Sequence, residues 1–282
     1  STFQVATFAL DMPLSLDELP TEVYDGAILD VMYIKRSDLS YVVNYLDADT
    51  GNALADSKFV DNQAYFDRIT ENAIDIFGYN KVNAQETIEI TTGENVINFY
   101  YTVRNDFKYT INHIDIETGE LIAESKVVTD AIYGKTYRES VIDIDGYNIA
   151  DDPEVVFTVR EDNKIYELEY TKRTDLSYKT EYYYNGYHDP SRDTVVNGQT
   201  FKTVIDSYVD RPEDGYKFEK VEGLPLTIGT GENIIKVYYT VDDKQTKELS
   251  YTVEYYKDGV KVDEEIERTT VQLLASDIMT VN

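Results

Sequence analysis

Apolar residues fall at every second position in many short stretches of this chain. "SYVVNYL" (40–46) alternates and is rich in β-branched and aromatic residues, which predicts a strand. "NVINFYYTV" (95–103) puts Ile97, Phe99 and Tyr101 on one face and Val96, Asn98 and Tyr100 on the other. The first set is the more apolar and is expected to face a core. "ALADSKFV" (53–60) and "ETIEIT" (86–91) predict further strands. "AYFDRITENAIDIF" (64–77) is ambiguous: Ile69, Ala73 and Ile76 also fit helical spacing, in a segment that is short and poorly capped for a helix.

The pattern recurs. "TTGENVINFYYT" (91–102) nearly returns as "GTGENIIKVYYT" (229–240), with a degenerate copy, "REDNKIYELEYT" (160–171), midway, and a fourth version, "EVYDGAILDVMYI" (22–34), near the start. Strand starts recur as "DLSYVVNY", "DFKYTINH", "DLSYKTEY" and "ELSYTVEY". Tyr41, Tyr109 and Tyr178 each precede a Gly-Tyr pair by 37 residues, at Gly78, Gly146 and Gly215. Constant internal spacing marks a repeated folding unit of about 70 residues. The expected division is a half repeat at 1–38, full repeats at 39–106, 107–175 and 176–248, and a half repeat at 249–282. Thr-Gly-Glu-Asn predicts a tight hairpin with glycine at positive φ. In the second repeat strict register puts Ile165, Glu167 and Glu169 inward, so a one-residue shift that returns Tyr170 to the core is expected. The first turns differ: "DADTG" and "DIETG" offer Asx chemistry, whereas "YNG" (184–186) and "KDG" (257–259) predict type I′ hairpins. The linkers, such as "KRSD" and "VRND", are short, charged and free of Gly and Pro, which predicts little hinge freedom.

Charge narrows the partners. With 26 basic and 54 acidic residues the chain carries a net charge of −28, which argues against bulk electrostatic binding to nucleic acid or anionic membrane. No apolar run is long enough to insert in a membrane. "STFQVATFALDMPLSL" lacks a basic start and carries Asp11, so it does not have the pattern of a signal peptide. With no cysteine, disulfides and thiolate chemistry are excluded.

The strand, Asp-x-[Asp/Glu]-Thr-Gly turn, strand, Gly-Tyr and closing aromatic strand resemble the mucin-binding-protein (MucBP) repeats of Gram-positive bacterial surface proteins. "YLDADTGNAL…FGYNKV…INFYYT" and "HIDIETGELI…DGYNIA…YELEYT" carry the pattern best; the third repeat keeps "DGYKF" and "IKVYYT" but has "YYYNG" at its first turn. The resemblance implies a mainly β or α+β chain, a tandem array of small β-grasp-like, ubiquitin-like repeats forming an elongated rod. It also implies extracellular display on a bacterial cell wall and adhesion to host glycoprotein or carbohydrate. Some relatives bind immunoglobulin and many copies act only as spacers.

Catalytic chemistry is not expected. The two histidines lie in different repeats, His113 at a strand position and His188 after a hairpin tip, where exposure is expected. No phosphate-cradling loop is present and no cofactor is implied. Asp47 with Asp49, and Asp115 with Glu117, could begin a calcium loop, but the acidic continuation is missing and Asx turns use the same residues; no metal is expected. The ligand-binding candidates are Tyr183, Tyr184 and Tyr187 in "EYYYNGYHD", since Tyr combines a flat apolar face with a polar tip. Tyr183 and Tyr184 should differ in exposure because neighbours on a strand alternate. A passive stalk is the competing reading. The half repeats at 1–38 and 249–282 cannot each close a core, so head-to-tail self-association is expected, the rival being a permuted boundary or a longer array.

Overall fold

The computed structural model describes residues 22, 24–28, 35–150 and 152–281. The opening segment and most of the expected half repeat at 1–38 lie outside the described residues. The first group of strands is β1 (Leu39–Asp47), β2 (Ala53–Gln63), β3 (Arg68–Asn72), β4 (Tyr79–Lys81), β5 (Gln85–Glu89) and β6 (Val96–Val103). The second is β7 (Phe107–Asp115), β8 (Lys126–Ala131), β9 (Thr136–Ser140), β10 (Tyr147–Ile149), β11 (Glu154–Thr158) and β12 (Lys164–Lys172). The third is β13 (Leu176–Tyr184), β14 (Tyr187–His188), β15 (Thr194–Gln199), β16 (Val204–Ile205), β17 (Tyr216–Glu222), β18 (Leu226–Thr227) and β19 (Ile234–Val241). A hairpin of β20 (Thr246–Lys257) and β21 (Val260–Gln272) follows.

One topology occurs three times. The sheets run β2-β1-β6-β4, β8-β7-β12-β10 and β15-β13-β19-β17, with β14 added beside β13. In the first and third the two central strands are parallel, Val43 opposite Ile97 and Tyr182 opposite Val237, while their outer neighbours are antiparallel. Two-stranded ribbons, β3-β5, β9-β11 and β16-β18, accompany them. The chain divides into two compact units. One runs through Ile111 and includes Ser125–Glu139 and Glu154–Tyr166; the other holds Asn112–Glu124, Ser140–Pro153 and the residues from Glu167 on. Strands β7 and β12 contribute residues to both.

Side-chain alternation builds the core. On β1, Leu39, Tyr41, Val43 and Tyr45 are buried; on β6, so are Ile97, Phe99 and Tyr101. Ile69, Ala73, Ile76, Ile88 and Ile90 close the same cluster. The segment 64–77 therefore holds a strand, β3, and no helix. Ile69 and Ala73 lie four apart, a spacing that shares a face in a helix and in an extended chain alike, which explains the ambiguity. Among the described residues the chain is mainly β, with a 3-10 turn at Pro190–Arg192 and no helix long and apolar enough to cross a membrane. On β12 the inward residues are Tyr166, half-buried, and Leu168 and Tyr170, buried. The expected one-residue shift is present: the offset between copies is 68 at Tyr109 and Gly146 but 69 on β12, so alternation falls on the apolar residues and Tyr170 returns to the core.

The Thr-Gly-Glu-Asn turn is not a hairpin either. It joins β5 to β6, which pair with different partners, and Gly93 and Gly231 do not adopt positive φ. Its asparagine carries the turn. Buried Asn95 donates to Ser40 O (3.0 Å) and Thr91 O (2.9 Å), and its Oδ1 accepts from Thr91 N at 2.9 Å. Asn233 repeats these bonds with Ser177 O (3.0 Å), Gly229 O (2.9 Å) and Gly229 N (2.8 Å). In the second copy the asparagine is missing from this position and a different bond ties the turn to the first strand, Asp162 accepting from Lys108 N at 2.8 Å. The turn recurs because one side chain ties the start of the last strand to the first strand. Asn185 with Gly186 and Asp258 with Gly259 have the positive φ pairs that type I′ turns need.

The Gly-Tyr turns have a different use. A Cβ on Gly78 would fall 2.2 Å from the Tyr133 ring, and one on Gly146 would fall 2.4 Å from the Phe201 ring. Gly215 receives Leu274 in the same way. Arg104 N donates to Gly78 O and Tyr133 N to Arg104 O; Arg173 N donates to Gly146 O and Phe201 N to Arg173 O. Gly78 and Gly146 thus make room for a ring from the following copy and Gly215 for a leucine, and the short linkers at Arg104 and Arg173 are hydrogen-bonded on both sides.

Candidate ligand-binding surface

The three tyrosines singled out by sequence occupy three different environments. Tyr184 is buried in the core, stacked on Tyr239 at 5.1 Å with its hydroxyl donating to Arg211 O at 2.6 Å. Tyr183 is half-buried on the opposite face, as alternation requires. Tyr187, at the hairpin, is 78% exposed. Tyr184 is therefore chiefly a core residue, and of the three Tyr187 carries the exposed ring.

Tyr183 belongs to a ladder across the outer face of the third sheet. Its ring stacks on His188 (4.9 Å, 24°) and on Tyr238 (4.8 Å, 23°). Lys220 Nζ caps the far side of Tyr238 at 4.7 Å from the ring centre. Rings one strand apart stack at about the strand spacing of 4.7–4.9 Å. The faces of Tyr183 and Tyr238 are consequently covered by neighbours and only their edges are free. Both hydroxyls are engaged: Tyr183 donates to Glu181 (2.8 Å) and Tyr238 to Glu222 (3.2 Å). The bond to Glu181, followed by burial, pushes the Tyr183 hydroxyl up to about 12.

Beside the ladder, Lys179 Nζ lies 2.9 Å from both Glu181 and Asp193, and Asp193 also meets His188 Nε2 at 2.9 Å. His188 is thus partly buried and partnered, contrary to the exposure expected from its place after a turn. Its neighbours on β13 and in the 190–193 segment are brought in by the type I′ turn, which sequence distance conceals. The Lys179 bond holds the Glu181 carboxyl below its ordinary value. Burial raises Asp193, but hydrogen bonds from Lys179 and His188 outweigh it and leave it lowered. Glu181, His188 and Asp193 are the group among the described residues with ligand atoms near enough to share a cation, all within 4.8 Å. Lys179 already supplies the positive charge there. Ser191 Oγ donates to Asp189 at 2.5 Å, so the nearby serine turns to a carboxylate that is not the partner of His188.

An open hollow of about 380 Å³ adjoins this cluster, lined by Tyr184, Tyr187, His188, Asp189, Arg192, Glu213 and Tyr216. Arg192 spans it, 3.2 Å from Asp189, ion-paired with Glu213 and with its guanidinium 5.1 Å over the Tyr184 ring. Tyr184 forms floor and Tyr187 rim. Other hollows repeat at the Gly-Tyr turns, one with Asp75, Tyr79 and Arg104, the next with Asp143, Tyr147 and Arg173. Their recurrence marks them as part of the scaffold. The exposed ring of Tyr187 belongs to the third sheet alone among the described hairpins, where the other first turns carry Asp47 and Asp115.

Those two aspartates are turn residues. Asp47 Oδ1 accepts from Asp49 N (2.8 Å) and Thr50 N (3.0 Å), and Asp115 Oδ1 accepts from Glu117 N (2.9 Å). Asp115 is buried and salt-bridged to Lys172 at 2.7 Å. His113, also buried, shares a 2.9 Å hydrogen bond with the Tyr170 hydroxyl; burial lowers its pKa, and it is a core residue.

No family model and no curated protein matches the chain. Among solved structures it is similar to the Bacillus anthracis TIE protein, with 14% identity and a TM-score of 0.35, over 73% of this chain and 51% of that one, so it spans about half of that protein's length. It is also similar to the type 2 repeat of the mucus binding protein MUB from Lactobacillus reuteri, with 13% identity and a TM-score of 0.18, over 48% of this chain and 99% of that one.

Proposed function

We propose that this chain is the repeat region of a non-catalytic bacterial surface adhesin, with repeats at 39–106, 107–175 and 176–248. Its ligand is a host glycoprotein or glycan, held by weak contacts that tethering adds together. The observation that carries this reading is the hollow of the third sheet. There an exposed Tyr187 ring stands beside Arg192, Asp189 and Glu213. A sugar ring needs an apolar face to lie on and directional donors and acceptors for its hydroxyls, and this group offers both. The net charge of −28 repels sialylated or sulfated ligands at long range, so recognition is local. Immobilised mucin and a glycan array test the reading. The full chain should bind saturably, and Tyr187→Ala and Arg192→Ala should each weaken binding several-fold without loss of strand structure. Absence of saturable binding at high micromolar concentration would reject it.

The passive-stalk reading has its own support, the repeated packing of Gly78 on Tyr133, Gly146 on Phe201 and Gly215 on Leu274. Unchanged mucin binding in a Gly78→Ala chain would separate the scaffold's stiffness from the ligand site.

A further inference from the structure

One carboxylate of the third sheet departs from the repeat. Three residues on from Tyr178 stands Glu181, where the same count from Tyr41 and Tyr109 reaches Asn44 and Asn112. Glu181 is only 9% exposed. A carboxylate so far from water needs a cation and hydrogen bonds to keep its charge. The third repeat brings them to it from separate stretches of chain. Strand β14 pairs with β13, His188 opposite Tyr183, and Asp189 N donates to Tyr182 O at 2.9 Å. The 3-10 turn at Pro190–Arg192 then leads the chain to Asp193. One ligand atom each of Glu181, His188 and Asp193 thereby lies within 4.8 Å of the other two.

These atoms already surround a positive charge. Lys179 Nζ is 2.9 Å from Glu181 Oε1 and 2.9 Å from Asp193 Oδ2. Other contacts hold the ligating groups from behind. Tyr183 donates to the second Glu181 oxygen, Oε2, at 2.8 Å, and its ring stacks on the His188 ring. Bonds and packing of this kind fix the direction of a metal ligand. The Lys179 side chain is 37% exposed on a flexible stem, so its ammonium can withdraw to water while the carboxylates stay in place.

We propose that Glu181, His188 and Asp193 form a site for a zinc-like divalent cation, which takes the place of the Lys179 ammonium. The donor set selects the ion. Imidazole nitrogen is a ligand for Zn²⁺ and its neighbours in the transition series, whereas Ca²⁺ and Mg²⁺ take oxygen. Three protein ligands leave one position of a tetrahedron for water. Zinc–ligand bonds of about 2.0–2.2 Å set ligand atoms roughly 3.4 Å apart. A pair within 4.8 Å therefore closes by at most about 1.4 Å, shared between two side chains, and His188 and Asp193, now 2.9 Å apart, open slightly. With His188 neutral the three ligands carry two negative charges, which a dication balances and one ammonium does not. The first repeat has no histidine and the second has only His113, buried in its core, so the site belongs to the third repeat. It needs no glycan: of its ligands, His188 alone lines the hollow.

Titration calorimetry of the full chain with Zn²⁺ tests this, with Ca²⁺ as the control for surface carboxylates. One Zn²⁺ should bind at micromolar concentration, and excess Ca²⁺ should not displace it. Lys179→Met removes the competing ammonium and should tighten Zn²⁺ binding about tenfold, whereas His188→Gln should weaken it by about tenfold or more. One readout needs no variant. The chain has two histidines, and Zn²⁺ should shift the ring resonances of His188 while those of buried His113 stay unchanged. Zn²⁺ that leaves the His188 ring unshifted, that is displaced by Ca²⁺, or that binds Lys179→Met no more tightly than wild type overturns the proposal.

Discussion

The first and third sheets share a core and differ on the outside. Tyr45, Phe99 and Tyr101 in one correspond to Tyr182, Val237 and Tyr239 in the other, all at 5% exposure or less. On the outer face the first sheet pairs Asn44 with Asn98 through their amides at 2.9 Å, and Ser57 donates to Asn44. The third puts Glu181 opposite Lys236 in that place. One step along, Leu46 opposite Tyr100 becomes Tyr183 opposite Tyr238. At the turn, Asp47 becomes Tyr184. The inner face is held by burial, where a lost methylene costs about 0.8 kcal/mol, while outward positions are free to diverge. The scaffold is therefore kept and its outer chemistry varied, which is how a repeated module acquires a site in one copy only.

The largest effect should be common to both sheets. Tyr101 and Tyr239 are fully buried and their hydroxyls bond backbone, Tyr101 to Ile74 O at 2.9 Å and Tyr239 accepting from Arg211 N at 2.8 Å. Tyr101→Ala and Tyr239→Ala should each destabilise their own sheet by about 3–5 kcal/mol, read from hydrogen exchange of that sheet's amides. A much smaller cost in one would break the equivalence of the cores.

Next come the turn asparagines. Asn95→Ala and Asn233→Ala leave buried backbone groups of the turn and first strand without partners, so each should cost about 1–3 kcal/mol. Asn95→Asp keeps an acceptor for Thr91 N but cannot donate to Ser40 O and Thr91 O, so it should recover little of the loss.

Much of this was legible in the sequence. Period-two alternation named Ile97, Phe99 and Tyr101 as core, and the type I′ turns followed from Asn185-Gly186 and Asp258-Gly259. The role of Asn95 was not, because a bond to Ser40, 55 residues away, leaves no local signal. Nor was the partnering of His188, which depends on the 190–193 segment folding back. A helix was conceivable over 64–77 because spacing of four serves both structures. Of the tyrosines, alternation separated Tyr183 from Tyr184, but no pattern of apolar positions says that stacked neighbours cover the faces of Tyr183.

Acid should separate the two outer faces. Glu181 and Asp193 are both lowered in the folded chain, so the stability they contribute is present above the ordinary carboxylate range and is lost as pH falls through their folded values. Below about pH 4 the third sheet should therefore weaken. Lys179→Met removes the bond that lowers both groups. It should reduce the melting temperature by a few degrees near neutral pH and flatten the acid-side loss. The first sheet, where Glu71 is paired with Lys58 instead, should keep its acid dependence in that variant. A parallel change in both sheets would show that the loss is not local.

The smallest effect sharpens the comparison most. Tyr183→Leu gives the third sheet the residue that the first sheet carries at this place. It removes two ring stacks and the hydroxyl bond to Glu181, while Glu181 keeps Lys179. Ring pairs at partly exposed positions contribute about 0.5–1.5 kcal/mol each, and leucine restores part of the contact area, so the net cost should be about 1 kcal/mol. The His188 ring should lose its stacked neighbour, which its proton chemical shifts report directly. The reciprocal change, Leu46→Tyr opposite Tyr100, should cost nothing and stabilise the first sheet by a few tenths of a kcal/mol, about the value of a cross-strand aromatic pair. If both changes are neutral, the ladder is only a consequence of which residues face outward. If Tyr183→Leu costs the predicted amount and Leu46→Tyr stabilises, then stacking across the strands is a stabilising device that the third sheet has and the first lacks, and one substitution transfers it.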